Sequence, residues 1–378
     1  MDLSLEDALR VNVLIAGSLE AVRIDESHMI LHALSSKGEA SIKLNPNCRD
    51  DTYLRRVRET LSSHALGSPG GYPVYLKRWT RMGQARDQIL ESLLLLGEPE
   101  AVVAVVNADG ITNELARRAW WASQTSENAR CMLRQQAVAD GQMGAVLAEF
   151  LVEFLPFEEE ARNQIRSVRL VLQGELIDAA VRDRLWGKGQ QKNSFYVGFL
   201  QAVPDDLPEV LSLHPAHKQV EQELASLIRD KNPFAAQLQR LLSPAGQVWL
   251  DVVERVMRKP ANQDVMVELM HAMASHAVLL PLDRQSMTEP DAIACRVEDL
   301  LEGDDSIDAA AGRALADLVA VLPQRLEYIR AMLFIALLNE PILNPVFSRT
   351  DAIGTVMRKK LRPVTEPVHE QMQILRNS

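Results

Sequence analysis

Cysteines, long apolar runs and net positive charge are all scarce in this chain. Its 378 residues include three cysteines. Cys48, Cys131 and Cys295 are far apart and odd in number, which excludes a disulfide framework and any CxxC metal or redox motif, and fits a reducing compartment. The longest apolar run, Ala331 to Leu338, is closed by Arg330 and Asn339. It falls far short of the roughly 20 residues that cross a bilayer, so it predicts a buried helix. Met1 to Ser18 carries Asp2, Glu6 and Asp7 against a single Arg10, without the positive start of a secretory signal. A formal net charge of -10 opposes nonspecific attraction to nucleic acid or anionic membrane. Together these features predict a cytoplasmic protein with no membrane insertion.

Catalytic signatures are missing as well. Gly67-Ser68-Pro69-Gly70-Gly71 lacks the Lys-Ser/Thr pair and the preceding long strand of a phosphate cradle. Leu66 stands where a GxSxG elbow around Ser68 needs glycine, so a structural turn is predicted there. Gly187-Lys188-Gly189 reads as a helix stop. Glu268 and His271 have the ExxH spacing that puts a carboxylate and an imidazole on one helical face, as carboxylate-bridged di-iron sites require. Such a site needs a second ExxH and two more glutamates, and the other instance, Glu366-Pro-Val-His369, contains a proline. The alternative for Glu268 and His271 is a helix with partly buried polar residues among Met266, Met270 and Met273. His28 and His32, four apart in an extended segment, have poor ligand geometry. No catalytic residue and no cofactor is assigned.

What is present is helical periodicity, with 47% hydrophobic residues, enough for two or three domains with real cores. A first helix spans about Ser4 to Ala16, with Ser4 and Asp7 spaced as a capping box ahead of an apolar stripe of Leu9, Val13 and Ala16. Ala21 to Asp25, Met29 to Ala33 and Ala40 to Leu44 read as three short strands of an antiparallel meander. Gly97 then stands as a left-handed helix cap and Pro99 as the start of the next helix. Breaks recur at 107–112, 123–126, 139–142, 155–158, 173–175 and 187–192. This spacing predicts short antiparallel helices in an irregular solenoid of the HEAT kind, or else a helical bundle. Prolines from Pro204 to Pro215 mark a boundary. Ala309 to Leu322 and Gln324 to Leu338 read as a core helical hairpin. Ser348 and Asp351 start a last helix that ends in the basic run Arg358 to Arg362. The expected organisation is 1–83, 84–208 and 209–378.

Three phrases carry a resemblance: Gly67-Ser-Pro-Gly-Gly-Tyr-Pro-Val-Tyr-Leu-Lys-Arg-Trp-Thr-Arg-Met-Gly-Gln84, Leu93-Leu-Leu-Leu-Gly-Glu-Pro-Glu-Ala-Val-Val-Ala-Val-Val106 and Leu115-Ala-Arg-Arg-Ala-Trp-Trp121. They resemble the DsrS family, as do Met1 to Ser4, Val22 to Ser27 and Val197 to Pro208. The resemblance implies a soluble cytoplasmic accessory or regulatory protein encoded with the reverse dissimilatory sulfite reductase system of sulfur-oxidising bacteria. It brings no catalytic residues with it. The partner it implies is another cytosolic protein of that system.

A basic aromatic segment is the candidate partner site: Tyr72, Tyr75, Lys77, Arg78, Trp79 and Arg81, with Arg49, Arg55, Arg56, Arg58 and Arg86 nearby. Tyr, Trp and Arg are enriched at protein interfaces. Cations beside aromatic rings also bind single-stranded nucleic acid, which makes RNA binding in post-transcriptional control one alternative. An enzyme with an unrecognised site is the other.

Overall fold

The computed structural model describes residues 3–72, 87–277, 287–303, 307–348 and 352–376. The chain forms two compact units, Met1–Phe154 and Leu155–Ser378, and it is mainly helical with a small N-terminal sheet. Among the described residues no single helix is long and apolar enough to cross a membrane.

The first unit opens with α1 (Leu5–Ile15) and the meander β1 (Leu19–Asp25), β2 (Ile30–Ser35) and β3 (Gly38–Lys43). The strands pair antiparallel in the order β1-β2-β3, with Ile24 opposite Leu31 and Leu31 opposite Ile42. Turn chemistry sets the register: Asp25 accepts the His28 backbone N–H at 3.0 Å, and Ser35 Oγ donates to the Gly38 carbonyl at 3.0 Å. Val22, Leu31, Ala33 and Leu44 pack with Val11, Ile15, Tyr53, Leu54, Val57 and Leu61 into one core. Tyr53 to Leu61 lie on α2 (Asp50–Leu66).

Ser4 caps α1 by accepting from the Asp7 backbone N–H at 3.2 Å, but the buried face is not the predicted one. Asp7, Val11 and Ile15 face inward, while Leu9, Val13 and Ala16 are exposed. The reason is Asp7. Its carboxylate does not close a capping box; it accepts from the Tyr53 hydroxyl and from the Asn45 backbone N–H at 2.7 Å. That polar anchor rotates the helix and leaves the richer apolar stripe outside.

Short helices complete the first unit: α3 (Asp87–Leu93), α4 (Pro99–Val106), α5 (Asn113–Ala122), α6 (Ser126–Leu133), α7 (Gln136–Ala139) and α8 (Gln142–Phe154). Gly97 is left-handed at φ 64, and a side chain there would press on Ile24. Thr112 and Thr125 cap α5 and α6. Each helix packs on those one to three places along the chain, α4 on α5 and α6, and α8 on α5, α6 and α7.

The second unit holds α9 (Ala161–Val171), α10 (Ala179–Lys188), α11 (Ser194–Ala202), α12 (His217–Arg229), α13 (Pro233–Leu242), α14 (Pro244–Arg258), α15 (Gln263–His276), α16 (Pro290–Glu302), α17 (Ala309–Val321), α18 (Leu326–Leu337), α19 (Asn344–Phe347) and α20 (Gly354–Leu375). The proline-rich stretch between α11 and α12 contains no helix. Ser243 caps α14 ahead of Pro244, as its sequence dictates. Here packing joins distant elements: α9 and α11 meet α15, and α14 and α18 both meet α20.

Two predictions are corrected in this unit. Helices α17 and α18 do not close on each other as a hairpin. Helix α17 packs on α12, α13 and α16, and α18 on α13, α15, α16 and α20. The 3-10 turn Pro323–Arg325 separates them; α18 is buried continuously from Ala331 into Leu338, whereas α17 buries only Leu315 and Leu318. Nor does the last helix end at Arg362. Helix α20 runs on through Pro363 and Pro367 to Leu375. Its core stripe, Met357, Leu361, Val364, Val368, Met372 and Leu375, holds it in place, and that burial offsets the roughly 3 kcal/mol that each interior proline costs a helix. Nor does Ser348 start it: Ser348 ends α19, and α20 begins at Gly354 after Ile353, while Asp351, the other half of the expected capping box, lies outside the described residues.

Candidate functional site

Of the basic aromatic segment, only Tyr72 falls within the described residues; Tyr75, Lys77, Arg78, Trp79 and Arg81 lie outside them. The turn leading into it is built tightly. Gly67 ends α2 in the left-handed conformation, with φ 67. Buried Ser62 donates its hydroxyl to the Ser68 carbonyl at 2.6 Å and accepts the Gly71 N–H at 2.9 Å. Glu98 accepts the Tyr72 N–H at 3.0 Å, and a side chain at Gly71 would overlap the Glu98 carboxylate. The Gly-Pro phrase is therefore a structural turn, held by two residues that its own sequence does not reveal. Burial pushes the Tyr72 phenol above its ordinary value. In the adjoining cleft Arg58 pairs with Glu26, and Arg55 lies 3.8 Å from Glu59, so these arginines are already matched by carboxylates.

Glu268 and His271 do share a face of α15, but their ligand atoms are engaged. Glu268 accepts from Gln201 Nε2 at 2.9 Å, lies 3.4 Å from Arg162 Nε and pairs with His271 Nδ1 at 3.7 Å. The other ring nitrogen of His271 meets Glu340 at 3.0 Å. The His271 pairing, opposed by burial and reinforced by Gln201 and Arg162, holds the Glu268 carboxyl at about 2. Among the described residues no three His, Cys, Asp or Glu side chains come together as a metal site. The pair is a tie between α15 and the 3-10 turn Glu340–Leu343.

All three cysteines are free thiols. Burial pushes the Cys131 thiol up, against the neighbouring Arg134, which disfavours the thiolate that sulfur transfer needs. The tandem tryptophans are structural: Trp120 packs edge-on against Phe150 at 4.7 Å, and the Arg23 guanidinium lies 4.9 Å over Trp121. Arg117 and Arg118 are both engaged by Glu114 and Glu20.

Two arrangements escaped the sequence. The first is the outer face of α1, where Leu5, Leu9 and Val13 are 93%, 66% and 67% exposed. Three apolar side chains at i, i+4 and i+8 form a continuous stripe. The second is a cleft of about 460 Å³ between α14 and α20. At its base buried Glu254 is ringed by Arg258, Arg376, His369 at 2.8 Å and Gln373 at 3.4 Å. Along its wall stand Arg358, Lys359 and Arg362. Their spacing with Thr355, Thr365, Glu366 and His369 is helical. The proline at 363 concealed it by suggesting a helix end.

Comparison with known proteins gives no match: no family model, no curated protein and no solved structure matches this chain.

Proposed function

We propose that this chain is a noncatalytic accessory protein that acts by docking onto another protein of the cytosolic sulfur-oxidation machinery. The observation that supports docking is the α1 stripe. Its pattern is that of a face meant for burial, yet Leu5, Leu9 and Val13 are left to water. A contiguous apolar patch is the usual mark of an interaction surface, and a partner that covered these three side chains would gain roughly 25 cal/mol for each Å² of apolar surface removed from water. The sulfur-oxidation context rests on the resemblance of the Gly67, Leu93 and Leu115 phrases to the DsrS family.

The test is affinity capture from cells actively oxidising sulfur, with wild type beside two variants, Leu9→Glu with Val13→Glu, and Lys77→Glu with Arg78→Glu and Arg81→Glu. The expected outcome is recovery of a protein encoded with the reverse dissimilatory sulfite reductase, lost in the α1 variant at unchanged thermal stability. Loss in the second variant as well would extend the surface to the basic aromatic segment. Recovery unaffected by the α1 change, or no protein of that system recovered, overturns the reading.

A further inference from the structure

We propose that the cleft between α14 and α20 is a binding site for a small phosphorylated metabolite bearing a diphosphate, gripped by Arg358, Lys359 and Arg362 above a floor of Met257, Leu361 and a Glu254 already neutralised by Arg258, Arg376 and His369. This inference is independent of the docking reading and concerns a different unit.

Geometry comes first. Thr355, Arg358, Lys359, Arg362, Thr365, Glu366 and His369 recur at three- and four-residue steps, so α20 presents them as one wall. Helix α14 supplies Met257 and Arg258 one step apart on the opposite wall. A concave volume of about 460 Å³ lies in the range that small-molecule sites occupy. Met257 and Leu361 are buried and give an apolar surface against which the body of a ligand can lie.

Charge then narrows the ligand. Arginines elsewhere in this acidic chain commonly face carboxylates, as Arg240 faces Asp205, Arg255 faces Glu209 and Arg330 faces Glu298. The cleft differs. Arg358 bonds the Thr355 hydroxyl at 3.0 Å, and among the described residues neither it nor Lys359 lies within 4.0 Å of a carboxylate. Arg362 is 3.9 Å from Glu366, so its donors are only loosely held.

Three cations within five residues on one helical wall repel one another. They also lie in the N-terminal half of α20, whose first turn has no acidic residue, so the helix dipole does not compensate them. An oxyanion relieves that repulsion. Two guanidinium forks one helical turn apart, with an ammonium between them, suit adjacent phosphate groups better than a lone carboxylate. The Thr355 hydroxyl, which accepts from Arg358, keeps its own proton to donate. Lys360 lines a different groove, away from this wall, so the positive surface is narrow. A narrow cationic cleft on a chain of net charge -10 favours a compact anion over nucleic acid or an anionic membrane.

Titration calorimetry of the full chain with ADP and with pyrophosphate tests the proposal. Both should bind saturably, more weakly as salt is raised. Arg358→Ala with Lys359→Ala should weaken ADP at least tenfold, while Arg10→Ala with Lys37→Ala, two exposed cations of the other unit, should leave it unchanged. If the cleft variant loses stability, wild type still decides the matter: ADP should protect Lys359 from acetylation, read by mass spectrometry, more than it protects Lys37. The proposal is overturned if neither anion saturates in the millimolar range, if the control variant loses as much affinity as the cleft variant, or if Lys359 is unprotected. Binding of polyglutamate without any response to ADP also overturns it, and would assign the cleft to an acidic polypeptide.

Discussion

Asp7 and Tyr53, separated by 46 residues, meet carboxylate to phenol in the interior of the N-terminal unit. Burial raises the Asp7 carboxyl, but hydrogen bonds from Tyr53, Asn45 and Ser4 together outweigh it and hold the group below its ordinary value. Its partner moves the other way: burial and then the Asp7 carboxylate push the Tyr53 phenol up to about 12. The pair fixes α1 against α2 and decides which side of α1 meets the core.

Replacing Tyr53 with Phe leaves Asp7 buried with one donor fewer, at a cost of about 1–3 kcal/mol at pH 7. Because the folded Asp7 pKa is depressed, its contribution is present above the unfolded carboxylate pKa and is lost as pH falls through the folded value. Urea unfolding of wild type and Tyr53→Phe should therefore give midpoints that differ at pH 7 and converge as pH falls below the ordinary carboxylate range. Equal midpoints at pH 7 would remove the anchor from the account of α1.

His276 should make the C-terminal unit acid-sensitive. Its ring stacks on Trp249 at 4.1 Å, and among the described residues neither ring nitrogen has a hydrogen-bond partner. Burial, aided by Arg240 and opposed by Asp205, lowers its pKa from 6.5 to about 3. The unfolded chain binds a proton below pH 6.5 that the folded chain refuses, so stability is full above that pH and declines towards pH 3. The loss is on the order of 5 kcal/mol at the acid limit. His276→Leu should flatten this dependence in thermal denaturation between pH 4 and 7, and an unchanged slope would exclude His276 as its source.

His271 carries the opposite sign. Pairing with Glu268, opposed by burial and supported by Glu340, raises its pKa. The tie therefore stabilises below the unfolded histidine pKa and fades as pH rises through the folded one. The ring is half exposed, so the effect is below about 1 kcal/mol. An NMR titration should find its midpoint above 6.5 and find it lowered by Glu340→Gln. Added zinc should leave the ring resonances in place, and a zinc-dependent shift would restore the metal reading.

Gly246 admits no side chain. A methyl group there would overlap the Arg240 and Leu241 carbonyl oxygens where α13 turns into α14. Gly246→Ala should cost more than about 2 kcal/mol, measured by chemical denaturation, whereas Gly187→Ala, with open space around it, should cost little.

The elements that were legible in the sequence are those set by local rules. The meander, the Gly97 stop, the Pro99 start and the Ser243-Pro244 cap each follow from the conformational limits of one or two residues. What was illegible depended on distant partners. The orientation of α1 follows from Tyr53 and Asn45, far along the chain, and hydrophobicity alone favours the opposite face. The Gly67 turn is held by Ser62 and Glu98, neither of which belongs to a glycine motif. Glu254 looks like one acidic residue among many until His369, Gln373 and Arg376 arrive from α20. Proline rules stop α20 at Pro363, because they do not count the six buried side chains that carry the helix past it.

Pro363 and Pro367 have no amide proton, so the carbonyls of Lys359 and Pro363 lose their intrahelical donors. Helix α20 is therefore a hydrogen-bonded ladder with two rungs missing, splinted by one apolar seam. Its continuity is a property of the whole unit: a peptide excised from residues 354–375 would lose the surface that aligns the two halves. The placement of Arg358, Lys359 and Arg362 is thus governed from beneath, by α14 and α18, and any loosening of that seam would scatter the three charges before it unwound a single turn.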